Sequence, residues 1–140
     1  MKNKENLIFT HPVRVYWEDT DGGGIVYYAN YLKFAERART EWLRSLGHDQ
    51  SALRDKDGIV FVVRECRVQY KSPARLDDAL QVTVAVKETR RHHLVLEQNI
   101  WRGDGLCARL VVTLVTLAAA DGTLLPLPGF LTPSHLITHT

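Results

Sequence analysis

Apolar and polar positions alternate along this chain with two different periods. From Val13 to Glu18 the alternation is twofold, with Val13, Val15 and Trp17 on one side and Arg14, Tyr16 and Glu18 on the other. A period of two predicts a half-buried strand. Past a run of three glycines the period lengthens. Tyr31, Phe34, Ala35, Ala38, Trp42 and Leu46 recur at helical spacing, while Lys33, Glu36, Arg37, Arg39 and Arg44 fall elsewhere. The spacing predicts an amphipathic helix with Asn30 as N-cap and Gly47 as stop. Two small residues in its apolar stripe, Ala35 and Ala38, let it lie close against a sheet. After a polar connection over 49–58 the rest reads as strands: 60–70, 79–88, 92–101 and 106–119, separated by the turns "SPARLDD", "TRR" and "RGDG".

Residues 111–117 are apolar or threonine on both faces. A strand with one wet face would alternate, so this one is expected to be covered on both sides, by the helix and by a second subunit. One long helix against about five strands is an α+β layer, and oligomerisation protects the apolar surface left over. The tail from 121 to 140 carries three of the five prolines and is expected to wrap over the sheet or trail from it.

Composition narrows the class. A chain of 140 residues is one domain by size, here with a core over about 12–118. With 45% hydrophobic and 24% charged residues it reads as a folded globule. A net charge of +2 is too small for a nucleic-acid surface, so any basic site is local. Cys66 and Cys107 both sit in apolar strand-like runs, which fits two buried thiols in a reducing compartment. The N-terminal residues lack the apolar run of a signal peptide, and nothing approaches the ~20 apolar residues of a membrane span. The expectation is a cytoplasmic protein with at most peripheral membrane association.

Most familiar chemistries have no sequence here to carry them. There is no G-x-S-x-G, no Walker sequence and no glycine fingerprint opening a helix after a strand. His92 and His93 are adjacent, and in a strand they point to opposite faces, so no metal spacing is present. What stands out is the loop "EDTDGGG", in which Glu18, Asp19 and Asp21 precede three glycines at a helix N-terminus. Glycines permit close backbone approach, and a helix N-terminus offers unpaired N–H groups to a developing oxyanion beside a carboxylate base. The bland alternative is that one aspartate caps a turn and the glycines merely connect strand to helix. The loop alone admits both.

The wider pattern weighs towards the first reading. "RVYWEDTDGGGIVYYANYLKFAERARTEWL", followed by "FVVRECRVQYKSPARLDD" and "VTVAVKETRRHHLVLEQNI", resembles the HotDog-fold acyl-CoA thioesterases of the 4-hydroxybenzoyl-CoA thioesterase family. It looks closest to the Tol-Pal-associated branch. The likeness runs from about Pro12 to about Leu117. It implies a long helix wrapped by an antiparallel sheet, subunits that join their sheets into a dimer or a dimer of dimers, and hydrolysis of acyl-CoA without a metal or redox cofactor. Carried over by position, Asp21 is the catalytic nucleophile or general base, and the Tyr28 backbone N–H polarises the thioester carbonyl. Arg90 and Arg91, with His92 in a place often held by lysine, contact the coenzyme A phosphates, as arginine forks suit phosphate oxygens. Gly24 and Asn30 support the loop. Two positions depart from the branch, which usually has histidine at Tyr28 and alanine–glycine at Gly22 and Gly23; they bear on branch and substrate preference, while the base, Gly24 and the helix are retained. A hydratase would need a histidine beside the acid, and the nearest upstream, His11, precedes the strand. The remaining alternative is a non-enzymatic module that binds an acyl thioester, on coenzyme A or acyl carrier protein, or docks to a cell-envelope partner.

Overall fold

The computed structural model describes residues 8–132. A sheet of six antiparallel strands curls round one long helix, α1 (Asn30–Ser45). The strands are β1 (Phe9–Arg14), β2 (Ile59–Tyr70), β3 (Ala79–Thr89), β4 (Leu94–Arg102), β5 (Gly105–Ala118) and the short β6 (Leu124–Leu125). Their order is β1-β3-β4-β5-β2, with β6 paired to β5. This is the arrangement that the HotDog resemblance implies. Register breaks at Val63/Glu65, Val86/Glu88 and Ile100/Trp101 add local twist and bend to the strands.

The core lies between α1 and the sheet. Tyr31, Phe34, Ala35, Ala38, Trp42 and Leu43 are the buried apolar face of the helix, and Val82, Val84, Leu96, Ile100, Leu110 and Val112 face them from the strands. Fully burying a side chain such as Phe34 is worth roughly 1.5–3 kcal/mol, so this stripe fixes which side of the helix meets the sheet. One polar group is placed in this layer. Gln98 is fully buried on β4, donating to Ala35 O at 3.0 Å and accepting from Arg39 Nη1 at 2.9 Å. Burial holds the Arg39 guanidinium below its ordinary pKa, against the pull of Glu36.

Several sequence expectations change. The first strand begins earlier, at Phe9, and ends at Arg14. Val13 and Val15 do face the core, but Trp17 is 62% exposed because the chain leaves the sheet into a 3₁₀ turn at Trp17–Asp19. Asn30 is not the N-cap of α1; it is the first helical residue, and Ala29 precedes it without a side-chain cap. Gly47 does stop the helix, at φ +91°, with its N–H on Arg44 O. The connection 49–58 contains a second helix, α2 (Gln50–Asp57), capped by the Asp49 side chain on Ala52 N and ended by left-handed Gly58. Its polarity hid it, since only Leu53 is buried.

Cys107 is buried, whereas Cys66, on the edge strand β2, is exposed. Residues 112–116 of β5 are all buried. On the face away from α1, Thr113 lies in register between Val95 and Glu65, which flank it within the sheet. The tail wraps as far as it is described. Phe130 stacks on His48 at 3.7 Å, and Leu131 is 1% exposed. Residues 133–140 lie outside the described residues.

Candidate active site

Between β1 and α1 the chain forms a tight loop that the sheet braces. Thr20 bridges Val26, and Asp21 N donates to Ile25 O at 2.9 Å. From outside, the segment before β3 holds it: Val26 N donates to Ala74 O, Leu76 N donates to Gly24 O, and Ile25 bridges Arg75. Inside it, Gly22 and Gly24 adopt φ of +91° and +85°, where a side chain would be strained. Gly23 serves by its size. A Cβ there would stand 3.2 Å from Asp21 Oδ1, which accepts the Gly23 N–H at 2.8 Å.

The three acids of the loop have different surroundings. Asp19 is 3% exposed, and both its oxygens are spent: Oδ1 accepts from Asn30 Nδ2 and Oδ2 from Tyr16 N, each at 2.9 Å. Its backbone carbonyl accepts from Tyr27 N. Asp19 and Asn30 thus tie the end of the first strand to the start of the helix. Glu18 is exposed. Asp21 is exposed as well, with Oδ1 oriented by Gly23 and Oδ2 without a partner among the described residues. A carboxylate held at one oxygen and open at the other is placed to act on a ligand.

Tyr28 follows at the helix approach, 62% exposed. Among the described residues its N–H has no acceptor, while the neighbouring Tyr27 N–H and Asn30 N–H do. Tyr27, Tyr28 and Tyr70 form an aromatic rim, with centroids 4.8 Å apart for the first pair and 6.2 Å for Tyr28 and Tyr70. An apolar wall beside an open amide and an open carboxylate suits a substrate that combines an oily group with a polarisable carbonyl.

The basic turn is elsewhere. Arg90, Arg91 and His92 lie between β3 and β4, at the end of β3 opposite the 71–78 segment that braces the Asp21 loop. At ~3.3 Å per residue, the length of β3 separates them by on the order of 30 Å. Arg90 is paired with Glu88 at 3.2 Å, and His93 meets the same carboxylate at 3.2 Å. Those hydrogen bonds, His93 first and Arg90 second, hold the Glu88 carboxyl below its ordinary range. The Arg91 carbonyl accepts from Leu127 N, so the returning tail braces this turn. One chain therefore brings Asp21, Gly24, Tyr28 and Asn30 together and leaves Arg90, Arg91 and His92 apart from them.

Two supports escaped the sequence. The 74–76 segment reads only as a turn, yet it pairs with Gly24, Ile25 and Val26 and holds the loop from outside. Tyr70, whose hydroxyl donates to Tyr28 O at 3.1 Å, lies 42 positions away, and nothing local to "VQYKSP" signals that contact.

Comparisons with known proteins show which family the chain belongs to. Residues 23–108 match the family model of the thioesterase superfamily. The chain is 43% identical over 104 residues to an acyl-CoA thioesterase, YbgC, of Haemophilus influenzae, covering 74% of this chain and 76% of that one. It is 50% identical over 93 residues to an Escherichia coli acyl-CoA thioester hydrolase of the same name, covering 66% and 69%. Among solved structures, a probable thioesterase from Bartonella henselae superposes with a TM-score of 0.83 at 31% identity, over 86% of this chain and 99% of that one. The matched segment starts inside the glycine loop, two residues past Asp21, runs through α1 and ends in β5, and the chain belongs to the thioesterase superfamily.

Proposed function

We propose that the protein hydrolyses acyl-CoA thioesters, with Asp21 as nucleophile or general base. One observation carries the reading: the half-open Asp21 carboxylate and the Tyr28 N–H, unpartnered among the described residues, occupy the same braced loop. The thioester carbonyl oxygen accepts from Tyr28 N–H, which stabilises the charge that develops on it. Asp21 either attacks the carbonyl carbon, expelling the coenzyme A thiolate and forming a mixed anhydride that water then cleaves to free acid and carboxylate, or takes a proton from a water that attacks as the thiolate leaves; the thiolate is protonated on release. Carboxylate and amide suffice for these steps, so the proposal includes no metal or redox cofactor. The exposed tyrosines favour short- to medium-chain or aromatic acyl groups, and acyl carrier protein is the alternative carrier of the same thioester.

The phosphate contacts belong to a second copy in this proposal. Since Arg90 and Arg91 stand on the order of 30 Å from the Asp21 loop within a chain, they serve the loop of a neighbour. β2 offers the joint: a 12-residue edge strand with Val62 and Val63 exposed and unpaired backbone groups along its outer side. A dimer, or a dimer of dimers, buries it. No helix of the described residues is long and apolar enough to cross a membrane. Cytoplasmic residence and an association with the Tol-Pal machinery are proposed on the resemblance alone.

Thiol release from a panel of acyl-CoA thioesters, with one acyl carrier protein substrate, tests this for wild type and Asp21→Asn. The variant should lose about 10²–10⁴-fold in kcat while still binding coenzyme A. Near-normal turnover in Asp21→Asn removes that residue from the chemistry. No turnover by either protein, with coenzyme A still bound, favours the binding-module alternative.

A further inference from the structure

Tyr70 is the last residue of β2, in register with Ala108 of β5. The residues after it are fastened to β5: Lys71 N and Ser72 N donate to Cys107 O at 2.8 and 3.3 Å, and Ser72 Oγ donates to Leu106 O at 2.9 Å. Its ring is held edge-on between Tyr28, at 6.2 Å and 87°, and Tyr31, at 5.5 Å and 61°. From this anchored position the hydroxyl donates to Tyr28 O at 3.1 Å.

That carbonyl is left for Tyr70 by the way the helix begins. A regular ladder would give Tyr28 O the N–H of Leu32. Leu32 N instead donates to Ala29 O at 3.2 Å, a tighter first turn. The peptide on the other side of Tyr28 is fixed separately, because Tyr27 O accepts from Asn30 N at 2.8 Å. A trans peptide is planar, with N–H opposite C=O, so fixing the Tyr27 carbonyl sets the direction of the Tyr28 N–H. Fixing the Tyr28 carbonyl stops rotation on the other side of the same residue. Both planes flanking Tyr28 are held, one by the helix turn and one by a phenol delivered from the sheet.

We propose that Tyr70 is a positioning residue: its hydroxyl locks the Tyr28–Ala29 peptide, and thereby keeps the Tyr28 N–H aimed at the oxygen of the scissile carbonyl. This rests on the reading of Tyr28 N–H as the carbonyl donor. Tyr70→Phe keeps the ring and removes only the hydrogen bond. Because the residue is 49% exposed, the fold should tolerate the change. The expected result is a fall in kcat of about tenfold, the scale of one hydrogen bond. KM for the same acyl-CoA should stay within about twofold, the pH profile should keep its shape because Asp21 is untouched, and Tm should be unchanged. Unaltered kcat overturns the proposal, and so does a fall in kcat that comes with a matching loss of Tm. If the wild type hydrolyses no thioester, the reading of the site fails separately. The lock itself is then judged from amide chemical shifts: the Ala29 amide, which shares a peptide with the Tyr28 carbonyl, should move in Tyr70→Phe, and an unmoved Ala29 overturns it.

Discussion

At the scale of single residues, the two aspartates of "EDTD" show how little residue type says about role. Asp19 is enclosed, with both oxygens accepting from N–H groups; Asp21 is exposed and half open. Replacing Asp19 by Ala strands the Asn30 amide and the Tyr16 N–H, and leaving such groups unpaired costs about 1–3 kcal/mol apiece. Urea unfolding should therefore show a loss of roughly 2–4 kcal/mol for Asp19→Ala and a change within about 0.5 kcal/mol for Asp21→Asn, as for an ordinary surface site. Equal losses would contradict the division of roles. Position by itself left Glu18, Asp19 and Asp21 equivalent, and the resemblance singled out Asp21. Burial is what separates Asp19 from it, and burial depends on Asn30 and Tyr16 closing over that one carboxylate. Asn30 itself reads as a cap because asparagine favours caps. Here the side chain reaches back 11 positions to Asp19 instead.

Elements were more legible than contacts. The pattern, taken with its length, located α1 and the four long strands, because a 16-residue amphipathic helix repeats its signal several times and strands of nine residues or more carry long alternating or apolar runs. It missed α2, whose eight residues bury only Leu53, and it carried the first strand too far, since Trp17 fits an alternation that the 3₁₀ turn interrupts. The glycine loop was visible as a loop, but the separate reasons for its glycines were not. Gly23→Ala tests one of them. Its φ lies outside the left-handed region, so the backbone accepts alanine, but the new Cβ stands 3.2 Å from Asp21 Oδ1 and pushes that carboxylate aside. Activity should fall by about 10-fold or more, since small misplacements of reacting groups are costly, while Tm stays within a few degrees. Unchanged kcat would mean that the carboxylate's orientation by Gly23 is immaterial.

For the whole molecule, one chain holds the loop and the basic turn at opposite ends of β3, and an open β2 edge runs along its flank. The sequence pointed to a second subunit through β5, and the open β2 edge adds a second place for one. No pattern within one sequence reports the distance between loop and turn, which emerges only once β3 is laid out in the sheet. Changing Val62 and Val63 together to Lys places charge on the exposed edge. Light scattering should then show a smaller species than the wild type, with loss of acyl-CoA affinity as the Arg90–Arg91 turn departs. An unchanged mass would place the subunit contact elsewhere, and a monomeric wild type would end the proposal of a shared site. The partition between Asp19 and Asp21 also matters for how such a molecule changes over generations. With the scaffold resting on Asp19 and the proposed reaction on Asp21, selection meets them as separate traits. A lineage can silence or retune Asp21 and keep a folded, assembled protein, so a new substrate, or no substrate at all, lies a few substitutions away without an unfolded ancestor in between.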